Sequence, residues 1–237
     1  KRKALELETS RLVYELKQKS LMNMLNPHFL NNAINSIQAF VVMNDQRKTL
    51  KYLSQFARLM RLNLELLNSS MAPLSKEVES IRFYTDFEQV RTSRKFEFVV
   101  LINTSRDLRE FQVPSFIIQP FVENAIWHGI LTTTDPDKKG KIVLELEERE
   151  ADILICVDDN GIGIKKSLSM KTGNALKISL GTQIIKERFE IFKAENPHYG
   201  IEIIDKSESG GKGTRVKITV PKIITLDNTS ETVSRKE

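Results

Sequence analysis

At 237 residues the chain is long enough for one large domain or two small ones, and its 40% hydrophobic content supports a packed core. A net charge of +5 suits an anionic ligand, but Lys and Arg are scattered, with no basic stripe and little aromatic interleaving, which argues against nucleic acid. The single cysteine excludes an internal disulfide and a cysteine-built metal site, and no window approaches the roughly 18 apolar residues that span a bilayer.

Residues 1–25 carry Leu5, Leu12, Leu16 and Leu21 in an imperfect coiled-coil stripe, expected to form a stalk. The chain starts at Lys1 inside this charged helical run, without a leader segment, so it is expected to be a piece of something longer. Asn26 is a candidate cap and Pro27 suits either a helix start or a kink; the residues leave both open. Beyond them Leu30, Ile34, Ile37 and Val41 recur at helical spacing and are expected to face a core. On the same wheel Asn32 and Asn35 lie within about 40° of His28, while the apolar group centres roughly 210° away. His28 is therefore expected to face outward. A neutral, exposed imidazole is a nucleophile near physiological pH, with Asn32 and Asn35 able to hydrogen-bond one ring nitrogen while the other stays free.

Leu50, Leu53, Ala57, Met60, Leu64 and Leu67 predict a second long helix, joined to the first through the polar Asn44-Asp45-Gln46. The two form a hairpin over 26–71, and a pair of hairpins would bury both stripes as a dimeric four-helix bundle. Pro73 opens a connecting helix running toward Arg91, within 72–95. From Phe96 the period changes to two. Phe96-Phe98-Val100-Ile102, Ile142-Leu144-Leu146, Ile153-Ile155-Val157, Ile201-Ile203 and Val216-Ile218-Val220 predict strands. Cys156 falls in the third and is read as a small core residue of a protein in a reducing compartment. The second and third strands read as a hairpin, with helices near 115–129 and 181–195. The class is α+β: a layer with a mostly antiparallel sheet over 96–222, followed by a tail at 223–237.

Three short motifs follow one another in this second part. Gln119-Pro120-Phe121-Val122-Glu123-Asn124-Ala125-Ile126-Trp127-His128-Gly129 puts Glu123, Asn124, Trp127 and His128 on one helix. There an asparagine oxygen can ligate a divalent cation without adding charge, although Asn124 could equally bridge buried backbone. His128 and Gly129 also read as an ordinary helix end. Asp158-Asp159-Asn160-Gly161-Ile162-Gly163 sets carboxylates at a strand end beside permissive backbone, where Asp159 can accept from an exocyclic amine; a plain turn is the alternative. Gly181-Thr182 at a helix start, and Gly210-Gly211-Lys212-Gly213-Thr214 before the last strand, suit phosphate and close backbone approach without forming a P-loop.

The segment Asn26-Pro27-His28-Phe29-Leu30-Asn31-Asn32-Ala33-Ile34-Asn35 resembles the phosphoacceptor box of LytS-type sensor histidine kinases, approximately N-P-H-F-L-F-N-x-L-N, with Asn31 and Ile34 as departures. The later motifs resemble the N, G1, G2 and G3 boxes of the GHKL ATP-binding domain, so the resemblance spans nearly the whole chain. It implies a GHKL-type α/β sandwich, with ATP and Mg2+ as cofactors. By this resemblance His28 is autophosphorylated and passes its phosphoryl group to an aspartate of a response regulator. Asn32 orients the imidazole, and Glu123 is a second candidate for the base. Asn124 coordinates Mg2+, with His128 nearby on the nucleotide side. Asp159 reads the adenine amine, Gly161 and Gly163 shape the pocket, Gly181 and Thr182 lie at the phosphates, and Gly213 and Thr214 flank the base. Residues 160–180 correspond to a lid over ATP. Trp127 stands where the family often has Lys, and Ser179-Leu180-Gly181-Thr182 departs from Gly-x-Gly-Leu; both departures bear on nucleotide affinity. The resemblance further implies a homodimer, and a cytoplasmic piece of a protein anchored in the bacterial cell membrane. Two rivals are a GHKL ATPase that transfers to water and a nucleotide-binding scaffold without transfer.

Overall fold

The computed structural model describes residues 27–92, 96–132, 139–169, 187, 189–194 and 196–223, without the side chains of 27–30, 168 and 209. The stalk, the side chain of His28, most of the lid segment and the tail beyond Ile223 lie outside this description.

Helices α1 (Pro27–Val42) and α2 (Gln46–Leu67) form the expected hairpin. Asn44 turns the chain in the left-handed region (φ 54), and Asp45 caps α2 by accepting from the Lys48 N–H at 3.0 Å. Within the single chain the apolar stripes stay largely uncovered. Ile34 and Val41 were expected to face a core, yet they are 51% and 60% exposed, and Leu50, Leu53 and Leu64 of α2 are 58%, 41% and 53% exposed. Within the chain, Ala33, Tyr52 and Phe87 form a small core, flanked by Ile37 of the first stripe and by Phe40, Phe56 and Val90. Large aromatic side chains fill the space between the helices and leave the aliphatic seams outside.

Helix α3 (Leu74–Arg91) is more than a connector. Leu74, Val78, Ile81 and Tyr84 belong to the main core, while Phe87 stacks on Tyr52 of α2 at 4.2 Å between ring centroids. Arg58 of α2 binds Glu79 at 2.9 Å and lies 4.5 Å over the Phe83 ring. Between the same helices the Ser80 hydroxyl donates to the Asn63 Oδ1 at 2.8 Å, with both residues buried. Ser80→Ala leaves that amide oxygen dry, and is expected to lower the unfolding free energy by about 1–2 kcal/mol in a denaturant titration.

The strands appear where the alternation placed them. β1 (Met71–Pro73) pairs antiparallel with β3 (Gln112–Pro114), a two-stranded ribbon too short to leave a sequence pattern. The main sheet contains β2 (Phe96–Asn103), β4 (Gly140–Glu148), β5 (Asp152–Asp159), β6 (Gly200–Asp205) and β7 (Thr214–Pro221), in the order β2-β4-β5-β7-β6. β2 and β4 run parallel; the other three pairings are antiparallel. The fold is thus α+β with a mixed, mostly antiparallel sheet. Ile142, Leu144, Leu146, Ile153, Ile155, Val157, Val216, Ile218 and Val220 line its inner face against α3 and the 119–130 helix.

Cys156 is buried but alternates with those core residues, which puts it on the opposite face. There it pairs across the sheet with Glu145 and Lys217, and burial raises its thiol pKa. It is buried, as a small core residue is expected to be, but on the face of the sheet away from the main cluster. Among the described residues no helix is long and apolar enough to cross a membrane.

Candidate functional site

The site is built where the 119–130 helix meets the C-terminal end of β5. The helix was expected from about residue 115 but starts later, as α4 (Gln119–Asn124). Phe116 explains the delay: its φ of 60° is a left-handed turn that a bulky residue adopts only under constraint. The constraint is Glu77 of α3, a buried carboxylate that accepts from the Phe116 N–H. Pro120 then fits the first turn, where no intrahelical donor is needed.

After Asn124 the helix widens into a π segment, Ala125–Ile130, closed by Leu131 N–H donating to Ile126 O at 2.9 Å. Such turns swell a helix locally and concentrate at functional sites. Here the widening presses Gly129 against β5 and the turn that follows it. A Cβ on Gly129 would lie 3.0 Å from the Asp159 Oδ1, and one on Gly161 would lie 2.4 Å from Gly129 backbone. The Ile162 N–H donates to Gly129 O at 3.0 Å, joining the two segments. Gly129, read from sequence only as a helix stop, is therefore a contact of the site that sequence reasoning missed.

Asp159 is the centre of the arrangement. It is 5% exposed; its Oδ1 accepts from Gly161 N–H at 2.8 Å and its Oδ2 from Thr214 N–H at 3.2 Å. Burial pushes its pKa up to about 6, against the opposing pull of the Gly161 donor, the Lys206 charge and the Thr214 donor. Gly213 (φ +92) packs so tightly that a Cβ would fall 1.9 Å from Asp159 O. Gly163 (φ +80) faces Asp205, whose carboxylate accepts from Lys165 N–H at 2.8 Å and Ser207 N–H at 2.9 Å. That side is tied back to the glycine turn by Lys206 N–H donating to Gly213 O at 3.0 Å. Asp159, Gly161, Gly163, Gly213 and Thr214 are thus brought together, with a buried carboxylate and backbone where Cβ atoms have no room. Asp158, next in the chain, points to the opposite face and pairs with Lys206 at 2.5 Å and Arg215 at 2.6 Å.

Asn124 and His128 lie half-buried on the helix segment leading to Gly129. Glu123 accepts from Gln119 Nε2 at 2.8 Å, and burial, reinforced by Glu88, raises its pKa to about 7 despite that hydrogen bond. Asn32 is half-buried on α1. The side chain of His28 and all of Gly181 and Thr182 lie outside the described residues. A polar cluster absent from the sequence reading lies between α3 and the π segment. Trp127 Nε1 donates to Tyr84 Oη at 3.1 Å, Arg91 sits 4.3 Å over the Trp127 ring, and Arg91 Nε and Nη2 both donate to Glu88 Oε2.

A family described as "Histidine kinase" matches residues 16–96. The chain is 31% identical to "Sensor protein LytS" of Bacillus subtilis (strain 168) over 215 residues, covering 90% of this chain and 35% of that one. It is 35% identical to "Sensor histidine kinase/phosphatase LytS" of Staphylococcus aureus (strain Mu50 / ATCC 700699) over 162 residues, covering 68% of this chain and 27% of that protein. It therefore spans about a third of the length of the curated relatives it matches. Among solved structures, the catalytic domain of histidine kinase ThkA aligns with a TM-score of 0.43 at 16% identity, covering 65% of this chain and 97% of that one. Because the matched residues include the His28 box and all of α1 to α3, and the LytS proteins align over most of the chain, this polypeptide belongs to the histidine kinase family and is similar to the corresponding part of LytS-type proteins.

Proposed function

We propose that the chain is the catalytic part of a two-component sensor kinase, which moves the γ-phosphoryl group of ATP onto His28 and then to an aspartate on the receiver domain of a response regulator. The observation that carries this reading is the buried Asp159 set among backbone with no room for Cβ atoms, in a chain whose family match includes His28. A carboxylate has about four acceptor sites, and two are taken by Gly161 and Thr214, which leaves Asp159 able to accept from the exocyclic amine of adenine. Gly161 and Gly163 shape the pocket floor, Gly213 and Thr214 flank the base, and Gly181 and Thr182 are assigned to the phosphates. Among the described residues no group of three or more His, Cys, Asp and Glu side chains could hold a metal. Mg2+ would rest on Asn124, with phosphate oxygens and water completing its shell, and His128 beside it.

When bound, ATP supplies the transferable phosphoryl group and Mg2+ neutralises its charge. One imidazole nitrogen of His28 forms the new P–N bond as the P–O bond to ADP breaks, while Asn32 orients the ring through a hydrogen bond to the other nitrogen. Glu123 is the second candidate for the base; burial raises its pKa to about 7, close to the operating pH at which a general base works best. The exposed seams of α1 and α2 support a homodimer in which two hairpins make a four-helix bundle. In the whole protein this part would lie in the cytoplasm beneath a membrane anchor.

Incubation with ATP radiolabelled at the γ-phosphorus tests the reading. Acid-labile, base-stable label on the protein is expected; free phosphate alone would point to an ATPase, and neither product to a scaffold. The pH dependence of nucleotide binding provides a second check. Asp159 takes up a proton near pH 6 in the free protein, and the protonated carboxyl loses acceptor capacity. ATP affinity measured by calorimetry is expected to be flat above about pH 7 and to fall by up to about tenfold per unit below pH 6.

A further inference from the structure

We propose that Glu88 and Arg91 are positioning residues for the nucleotide-binding helix, acting through the stack of Arg91 on Trp127, so that α3 couples ATP binding to the helical hairpin. The proposal rests on the assignment of an ATP site around Asp159.

Tyr84, Glu88 and Arg91 recur at i, i+4 and i+7, which places them along one face of α3. That face meets the π segment through two contacts on a single side chain. The Trp127 indole is held at its edge by Tyr84 Oη, 3.1 Å from Nε1, and on its face by the Arg91 guanidinium at 4.3 Å. The guanidinium is itself fixed, because Nε and Nη2 converge on one oxygen of the fully buried Glu88 at 2.9 and 2.6 Å. A buried ion pair adds little net stability compared with apolar packing. What it supplies here is orientation, since a planar fork held at two nitrogens presents a fixed face to the ring.

Trp127 lies between Asn124 and Gly129 on the segment that carries both, so its placement sets where the wide turn meets Asp159. An adjoining strip of the same helix, with Ser80 four residues before Tyr84 and Phe87 three after it, is anchored on α2 through the Tyr52–Phe87 stack and the Ser80–Asn63 hydrogen bond. A shift of α2 is therefore passed through α3 to the helix that lines the site.

Trp127 is the chain's one tryptophan, so its emission reports the stack directly. In the full chain, Arg91→Ala is expected to shift that emission and to weaken MgATP binding, measured by calorimetry, about tenfold. Adding Glu88→Gln removes the lone buried charge that Arg91→Ala leaves behind. The double variant is expected to recover its thermal midpoint while MgATP binding stays weak. Recovery of both would mean that the pair is merely structural, and would overturn the proposal. Arg91→Lys keeps the charge but not the planar face, so it carries the test if the alanine variants fail to fold: it too should bind MgATP more weakly, and unaltered affinity overturns the proposal. Failure of the unmodified chain to bind MgATP would remove the ATP assignment itself, and the proposal with it. Binding by the unmodified chain with undiminished affinity in the variants would remove the proposal alone.

Discussion

His28→Gln is expected to abolish covalent labelling by γ-labelled ATP, by at least about a thousandfold, while MgATP binding measured by calorimetry stays within about twofold. The asymmetry follows from chemistry. Glutamine preserves polarity and approximate size but offers an amide nitrogen whose lone pair is delocalised into the carbonyl, so it cannot take the phosphoryl group. The proposed nucleotide pocket is assigned to residues of β5, β7 and the 119–130 helix, and residue 28 is not among them. Asn32→Ala should lie in between: the acceptor nitrogen remains, but the ring would lose the partner proposed to select its tautomer and orientation, and about ten- to a hundredfold in rate is expected with little change in ATP affinity. Labelling that persisted in His28→Gln would move the acceptor elsewhere and leave the His28 box without a role.

The strands were legible because one face of the sheet is buried and the other is not, which imprints a period of two on each of them. The turn residues around Asp159 were legible for a different reason. Gly161 abuts Gly129 backbone, while Gly163 and Gly213 take positive φ beside Asp205 and Asp159, and such positions admit almost no other residue. Helix α3 was legible as a helix but not as a packing element. Its buried arc is wide and takes in Glu77, Ser80, Thr85 and Glu88 among its hydrophobic residues, so it shows no clean apolar stripe. The seams of α1 and α2 showed the reverse problem: their period was plain, but a period does not say what covers it, and Ile34, Val41 and Leu50 are left outside by the chain's own packing. The π segment was invisible, because a one-residue widening depends on what presses against the helix. For the same reason Gly129 could be read only as a helix stop, and the Arg91–Trp127 contact joins residues far apart in sequence.

Asp159→Asn is expected to reduce ATP affinity about a hundredfold, although it changes two atoms and almost no volume. Both carboxylate oxygens already accept backbone N–H groups, Gly161 at 2.8 Å and Thr214 at 3.2 Å. A carboxylate can satisfy both and still receive an amine, but a carboxamide has one oxygen and one NH2. Whichever way it is turned, its NH2 faces a donor, so one backbone N–H loses its acceptor in a buried site. The turn at Gly161 or the start of β7 must then shift. Neither can shift easily, because Gly161 abuts Gly129 and Gly213 abuts the Asp159 carbonyl. Asparagine also lacks the charge that favours the adenine amine, so the direct contact and its support weaken together. The variant should also lose the fall in ATP affinity below pH 6, since the group that takes up the proton is gone. Weak binding that kept the same pH profile would assign the titration to another residue, and unchanged affinity would remove Asp159 from adenine recognition.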